Sequence, residues 1–222
     1  MDQEASIHKF EVPKTARYFQ LGELGPSTKH IWYVLHGYGQ LGEYFIKHFA
    51  PLMDESMVVL APEGLSRFYL DGDYDRVGAT WMTRVDRLDE IKDQMTYLET
   101  FHQSAMQKVN REDVTLTLLG FSQGVATGWR WMNRGTVNPD NFILWAGSVP
   151  KDFPDDFIPK FREMNFYAVV GDEDQFISKE NAEKYRDRLL EIHPAMKWFW
   201  FNGNHRMDAP TLAKVHQFIA NP

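Results

Sequence analysis

Ser122 sits in the pentapeptide Gly120-Phe121-Ser122-Gln123-Gly124, between an apolar run at 114–119 and a segment of helical periodicity at 124–134. A G-x-S-x-G in a strand-turn-helix context makes a tight, strained bend that exposes the serine hydroxyl above the end of the strand. Glycine on either side lets strand and helix approach without a side-chain clash. The N-terminus of the following helix adds positive potential where an oxyanion would form. The chemistry this suggests is nucleophilic attack. Serine at neutral pH needs a base within hydrogen-bond reach, itself oriented by a third group.

On a sheet of this kind the partners follow the serine in the order acid, then histidine. His193, His205 and His216 lie far enough downstream. His193 precedes Pro194 between a helical segment and the next strand, which places it at the amino edge of the sheet. His216 falls inside a closing amphipathic segment, where a partly buried structural histidine is the usual explanation. His205 follows the strand-like run at 197–201, in the loop begun by Asn202-Gly203-Asn204, and so shares the carboxyl edge with Ser122. It is the expected base. For the acid, the run at 166–170 ends in Gly171-Asp172-Glu173-Asp174-Gln175-Phe176, where three carboxylates compete and position alone leaves Asp172 and Asp174 open.

The elements that must position these groups follow from the apolar pattern. Runs at 31–35, 57–61, 114–119, 141–146 and 165–170 are short and nearly continuous, as strands buried on both faces are. Helix-period segments lie between most of them, at 42–54, 88–109, 124–134 and 178–192, the last with Ser178 as its cap. A strand at 196–201 and a helix at 209–220 close the series. Strands alternating with helices imply right-handed crossovers and a doubly wound, mostly parallel sheet with helices on both faces. Alternating segments near 6–11 and 16–20, separated by Pro13, predict an opening antiparallel hairpin. Segments 62–87 and 147–164 follow strands and are rich in Gly, Pro, Asp and aromatics, so they are expected as pocket walls above the carboxyl edge.

The chain has 222 residues, 43% of them apolar and 14% aromatic, which is enough for a substantial core and excludes a disordered class. Neither repeats nor a linker divide it, so residues 1–222 read as one domain. Acidic residues outnumber basic ones 31 to 24 without a Lys/Arg cluster, which argues against a nucleic-acid partner. With no cysteine, disulfides, thiolate metal ligation and cysteine nucleophiles are all excluded. The eight histidines show no metal-ligand spacing, so neither a metal nor a cofactor is expected. An acidic, polar start and the lack of a long apolar stretch lead to the expectation of a cytoplasmic protein without an integral membrane segment. Oligomeric state is not encoded in any pattern of this kind.

Four ordered motifs now bear on the family: Leu35-His36-Gly37-Tyr38-Gly39 after the first core strand, the bend from Gly120 to Gly124, Gly171-x-x-Asp174, and Gly203-Asn204-His205. Together they span most of the chain, which resembles the phospholipase/carboxylesterase family of α/β hydrolases, the group that includes acyl-protein thioesterases. The resemblance implies an α/β-hydrolase fold and hydrolysis of carboxylic esters, thioesters or lysophospholipids through an acyl-enzyme. It implies Asp174 as the acid beside Ser122 and His205, and backbone N–H groups of Tyr38 and Gln123 as the oxyanion hole. The family often has an acidic residue where this chain has Gln40. Phe68, Trp81 and Phe176, in aromatic-rich loops, are the expected substrate-binding residues. For Phe68 and Trp81 the competing reading is that they anchor a long loop.

Two other classes compete. Gly37-Tyr38-Gly39-Gln40-Leu41-Gly42 satisfies G-x-G-x-x-G, with Glu63 about 20 residues on, which is the pattern of a nucleotide-dependent oxidoreductase. His36 before the glycines and Pro62 before the acid fit that pattern poorly, and it leaves Ser122, Asp174 and His205 unexplained. A non-catalytic binding module on a hydrolase scaffold is the third, since fold does not fix function.

Overall fold

The computed structural model describes residues 5–150 and 163–220. Its centre is a seven-stranded sheet: β1 (Tyr18–Leu21), β2 (His30–Leu35), β3 (Met57–Pro62), β6 (Thr115–Phe121), β7 (Asn141–Trp145), β8 (Asn165–Gly171) and β9 (Lys197–Phe201). The spatial order is β1-β3-β2-β6-β7-β8-β9. Every neighbouring pair is parallel except β1 with β3. The chain passes from β2 outward to β3, then returns across β2 to β6. That reversal puts the carboxyl ends of β2 and β6 at the topological switch point, where open sheets of this type leave a crevice.

Alternation along each strand divides the core. Ile31, Tyr33, Leu35, Leu116, Leu118, Phe142 and Leu144 face α2 (Arg87–Met106) and α3 (Gln123–Arg134), meeting Leu98, Phe101, Val125 and Trp129. Trp32, Val34, Val59, Leu119, Ile143 and Trp145 face the opposite way, onto Phe45, Ile46 and Phe49 and onto Leu212 and Val215 of α5 (Ala209–Ala220). The inner strands therefore carry apolar side chains on both faces, which is why they read as unbroken runs. The remaining long helix, α4 (Lys179–Ile192), begins as expected, with the Ser178 hydroxyl accepting from Asn181 N–H at 3.3 Å.

Three expectations change. No strand forms among residues 5–17; β1 is an edge strand whose partner is β3, 36 or more residues away in sequence, with Tyr18 opposite Pro62. The alternation at 6–11 has another origin. Lys9 pairs with Asp86 and Asp89, and Glu11 with Lys92, so the charged positions fasten this segment beside α2 while Ile7 and Phe10 stay exposed. The helix expected at 42–54 is one short turn, α1 (Gly42–Phe45), continued as a 3-10 stretch over Ile46–Leu52 that contains Pro51. Within 62–87 lies an antiparallel hairpin, β4 (Ser66–Tyr69) and β5 (Val77–Thr80). Of the second expected wall, residues 151–162 fall outside the described residues. No helix among the described residues is long and apolar enough to cross a membrane.

Candidate active site

Ser122 lies between the end of β6 and the start of α3 with φ 53° and ψ −113°, a combination that L-residues other than glycine rarely hold. Such a backbone costs of order 1–3 kcal/mol and persists only where its surroundings fix it. The fixing contacts are Ser122 N–H to the Trp145 carbonyl at 2.8 Å and Val125 N–H to the Ser122 carbonyl at 3.1 Å. The flanking glycines are required by space. A Cβ on Gly120 would lie 2.5 Å from the Gly124 backbone, and one on Gly124 would lie 2.2 Å from the Leu35 carbonyl oxygen.

His205 stands in the loop after β9, and its Nδ1 lies 2.7 Å from Asp174 Oδ2. The Asp174 side chain is fully enclosed, and its other oxygen accepts from the N–H groups of Phe176 (2.8 Å) and Ile177 (3.0 Å). Three nitrogens thus converge on one carboxylate. Asp172 has turned elsewhere: its carboxylate accepts from Gly203 N–H at 3.0 Å and so ties the acid loop to the histidine loop. Glu173 is exposed. Of the two aspartates, Asp174 is the one hydrogen-bonded to His205. No hydrogen bond joins the Ser122 hydroxyl to His205, yet the two sit at one edge. The imidazole packs on Phe121, the residue before the serine, with ring centroids 5.0 Å apart.

Tyr38 and Gln123 come from the two neighbouring strand ends. In the turn after β2, Gly37 N–H donates to the Gln40 side-chain oxygen, Gly39 N–H to Ala79 O and Gln40 N–H to Gly37 O. Tyr38 N–H, between them, has no acceptor among the described residues. Gln123 N–H, first of α3, has no intrahelical acceptor. Gln40 therefore has a clear job here, which is to close the turn that leaves Tyr38 N–H free.

The side chain of Gln123 was not singled out by the motif, where it is an unspecified position. It accepts from Thr80 Oγ1 (3.0 Å) and Trp81 N–H (3.1 Å) and donates to Met82 O (2.9 Å), stapling the end of β5 to the serine bend. Its only sequence signal is a polar residue at a site where the helix meets an aromatic loop. Trp81, expected to line a substrate pocket, is 1% exposed and does not face solvent. Its indole N–H donates to His36 O at 2.8 Å and its ring stacks on the His36 imidazole at 4.9 Å, so it anchors the loop. His36 is itself held neutral, its pKa pulled down to about 4 by burial, with Nδ1 on Gly37 O (2.7 Å) and Nε2 accepting from Gly64 N–H (3.0 Å).

Phe176 is 74% exposed and packs edge-on against His205 at 4.8 Å. Phe68 is half-buried against the exposed ring of Tyr38 at 5.0 Å. A cleft of about 480 Å³ opens between Gly39, Gln40 and Leu41 and the hairpin residues Leu70, Arg76 and Val77, and neither Phe68 nor Phe176 lines it. The nucleotide-binding alternative loses its anion site. Glu63 is buried and accepts from Gly42 N–H (3.0 Å) at the start of α1, as well as from Arg17 (2.8 Å) and Arg67 (2.7 Å). The chain's own carboxylate therefore occupies the place a pyrophosphate would need. No group of three or more metal-ligating side chains occurs among the described residues.

No protein-family profile matches the sequence, and no curated protein is similar to it by sequence. Solved structures are similar in shape. Acyl-protein thioesterase 2 of Zea mays matches with a TM-score of 0.69 at 14% identity, over 93% of this chain and 98% of that one. A carboxylesterase from Mesorhizobium loti matches at 0.69 and 19% identity, over 93% and 95% respectively. Esterase PE8 matches at 0.67 and 18% identity, over 92% and 98%. The protein has the α/β-hydrolase fold.

Proposed function

We propose that the protein is a serine hydrolase of carboxylic esters, working through an acyl-enzyme on Ser122, His205 and Asp174. The observation that carries this reading is the strained Ser122 at the end of the central strand, with a hydrogen-bonded His205–Asp174 pair packed against the residue before it. Ser122 Oγ attacks the ester carbonyl carbon while His205 Nε2 takes its proton. The oxyanion that forms is met by the free N–H groups of Tyr38 and Gln123, each worth about 3 kcal/mol in such sites. His205 then returns the proton to the leaving alcohol, and a water repeats the sequence to release the acid. Asp174 keeps the proton of the neutral imidazole on Nδ1, so that Nε2 is the lone-pair nitrogen facing the serine. None of these steps calls on a metal or cofactor.

The fold shared with esterases and a thioesterase supports the same reaction class, in line with the resemblance of the four motifs to the phospholipase/carboxylesterase family. Phe68 and Phe176 are the apolar surface for the acyl or alcohol portion. A chain-length series of chromogenic esters, run beside a thioester, separates small-ester from long-acyl and thioester use. Ser122→Ala tests the nucleophile: turnover and fluorophosphonate labelling should vanish while the thermal transition persists. Esterase activity surviving in that variant refutes the assignment.

A further inference from the structure

Two of the proposed groups, Ser122 and His205, come from strands β6 and β9, which are separated by β7 and β8. Besides the strand ladders, one residue spans the gap directly. Trp145, the last residue of β7, does so at both ends. Its carbonyl accepts from Ser122 N–H at 2.8 Å, and its indole N–H donates to the carbonyl of Arg206, the residue after His205, at 2.9 Å. The side chain is fully buried. Its ring also packs on Phe201, the last residue of β9, at 6.1 Å.

The receiving end is held as firmly. The Arg206 guanidinium donates to Asn202 O (3.2 Å) and pairs with Asp208 (3.1 Å), and it lies 5.3 Å from the Phe201 ring centroid. Asp208 in turn accepts from Thr211 N–H (3.2 Å) and Thr211 Oγ1 (2.7 Å) in the first turn of α5. The loop carrying His205 is thus braced from both sides, and Trp145 ties it by hydrogen bonds to the serine bend, beside the packing of His205 on Phe121.

We propose that Trp145 is a positioning residue for this reaction, a strut whose indole N–H fixes where His205 stands relative to Ser122. The proposal rests on the serine-hydrolase reading. A buried aromatic of the same size without the donor should pack normally and remove one restraint on the histidine loop, letting it shift relative to the serine bend while its other contacts persist. Reacting groups displaced by about 1 Å lose on the order of a hundredfold in rate, so a partial drift should cost roughly tenfold.

The test compares wild type with Trp145→Phe and with protein carrying benzothienylalanine at position 145, which keeps the shape of the indole but has sulfur in place of N–H. Active sites are counted by stoichiometric fluorophosphonate labelling taken to completion, and kcat is expressed per labelled site. The expected result in both is full labelling, KM within twofold of wild type and kcat per site down about tenfold. A merely structural role would lower the labelled fraction or the melting temperature and leave kcat per site unchanged. If the benzothienyl protein turns over within twofold of wild type per site, the strut is refuted while the hydrolase reading stands. Wild type that neither takes the probe nor cleaves any ester overturns both.

Discussion

Asp174→Asn is the most informative single change at this site. One oxygen of the carboxylate holds two backbone N–H groups, of Phe176 and Ile177, and the other faces His205 Nδ1. An asparagine amide has one accepting oxygen and one donating nitrogen. Set toward the two N–H groups the oxygen keeps two bonds; set toward His205 it keeps one and turns an NH2 against two donors. The first arrangement wins, and the amide nitrogen then donates to Nδ1. That moves the imidazole proton to Nε2, the nitrogen that must accept from Ser122. The rate should fall by about 10⁴ in kcat, or roughly 5 kcal/mol of barrier. Stability should change far less, since all three contacts persist as neutral bonds. A loss of about 1 kcal/mol corresponds to roughly 2–4 °C in Tm for a chain of this size. The assay is steady-state ester hydrolysis beside calorimetry, with Asp172→Asn as the control, because its amide oxygen can still accept from Gly203 N–H. An Asp174→Asn variant with kcat within tenfold of wild type would refute the reasoning.

Other outcomes follow from the same geometry. Ser122→Gly should raise Tm although it abolishes turnover, because relief of about 1–3 kcal/mol of backbone strain exceeds the roughly 1 kcal/mol entropic cost of glycine; a lower Tm counts against the strain. Trp81→Ala should destabilise by about 3–5 kcal/mol and leave the acyl-chain preference of the folded fraction unchanged, as judged by denaturant melts and an ester series; a shifted preference would return Trp81 to the pocket wall. His36 is neutral in the folded state down to about pH 4, whereas in the unfolded chain it binds a proton near 6.5. Its contribution is therefore complete above about pH 6.5 and is lost as pH falls toward 4, by up to about 3 kcal/mol. Burial depresses His48, His102 and His216 in the same direction, so the whole protein should weaken over this window. His36→Gln should make the pH 7 to pH 5 difference in unfolding free energy smaller; an unchanged difference places the loss elsewhere.

The inner strands were legible because a strand buried on both faces must be apolar throughout, and the bend at Ser122 because its glycines answer a steric demand within a few residues. His205 could be chosen by edge, since the alternation of strands and helices fixes which loops share a side of the sheet. What stayed hidden depended on distant partners. Tyr18 to Leu21 carry a strand pattern, but nothing local reveals that their partner is β3. The alternation at residues 6–11 is equally good for a strand and for a segment whose Lys9 and Glu11 reach α2. Asp172 and Asp174 differ in the partners the fold brings to each, Gly203 N–H to the first and the His205 imidazole to the second. Trp81 is large, aromatic and in a loop, a description that suits a pocket wall and a buried anchor alike.

The staple from Gln123 to residues 80–82, together with the bridge between Gln40 and Ala79, joins the β4–β5 hairpin to both edges of the proposed oxyanion hole. In the proposed mechanism, recognition and rate enhancement are consequently not separable modules. A hairpin borrowed from an esterase of the same fold to alter what is accepted would arrive without the acceptors and donors that Gln123 needs, and in the proposed mechanism would slow every substrate alike. Redesign of selectivity has to exchange the stretch from Gly37 to Met82 as one block, or confine itself to Phe68 and Phe176, whose side chains take no part in the Gln123 staple.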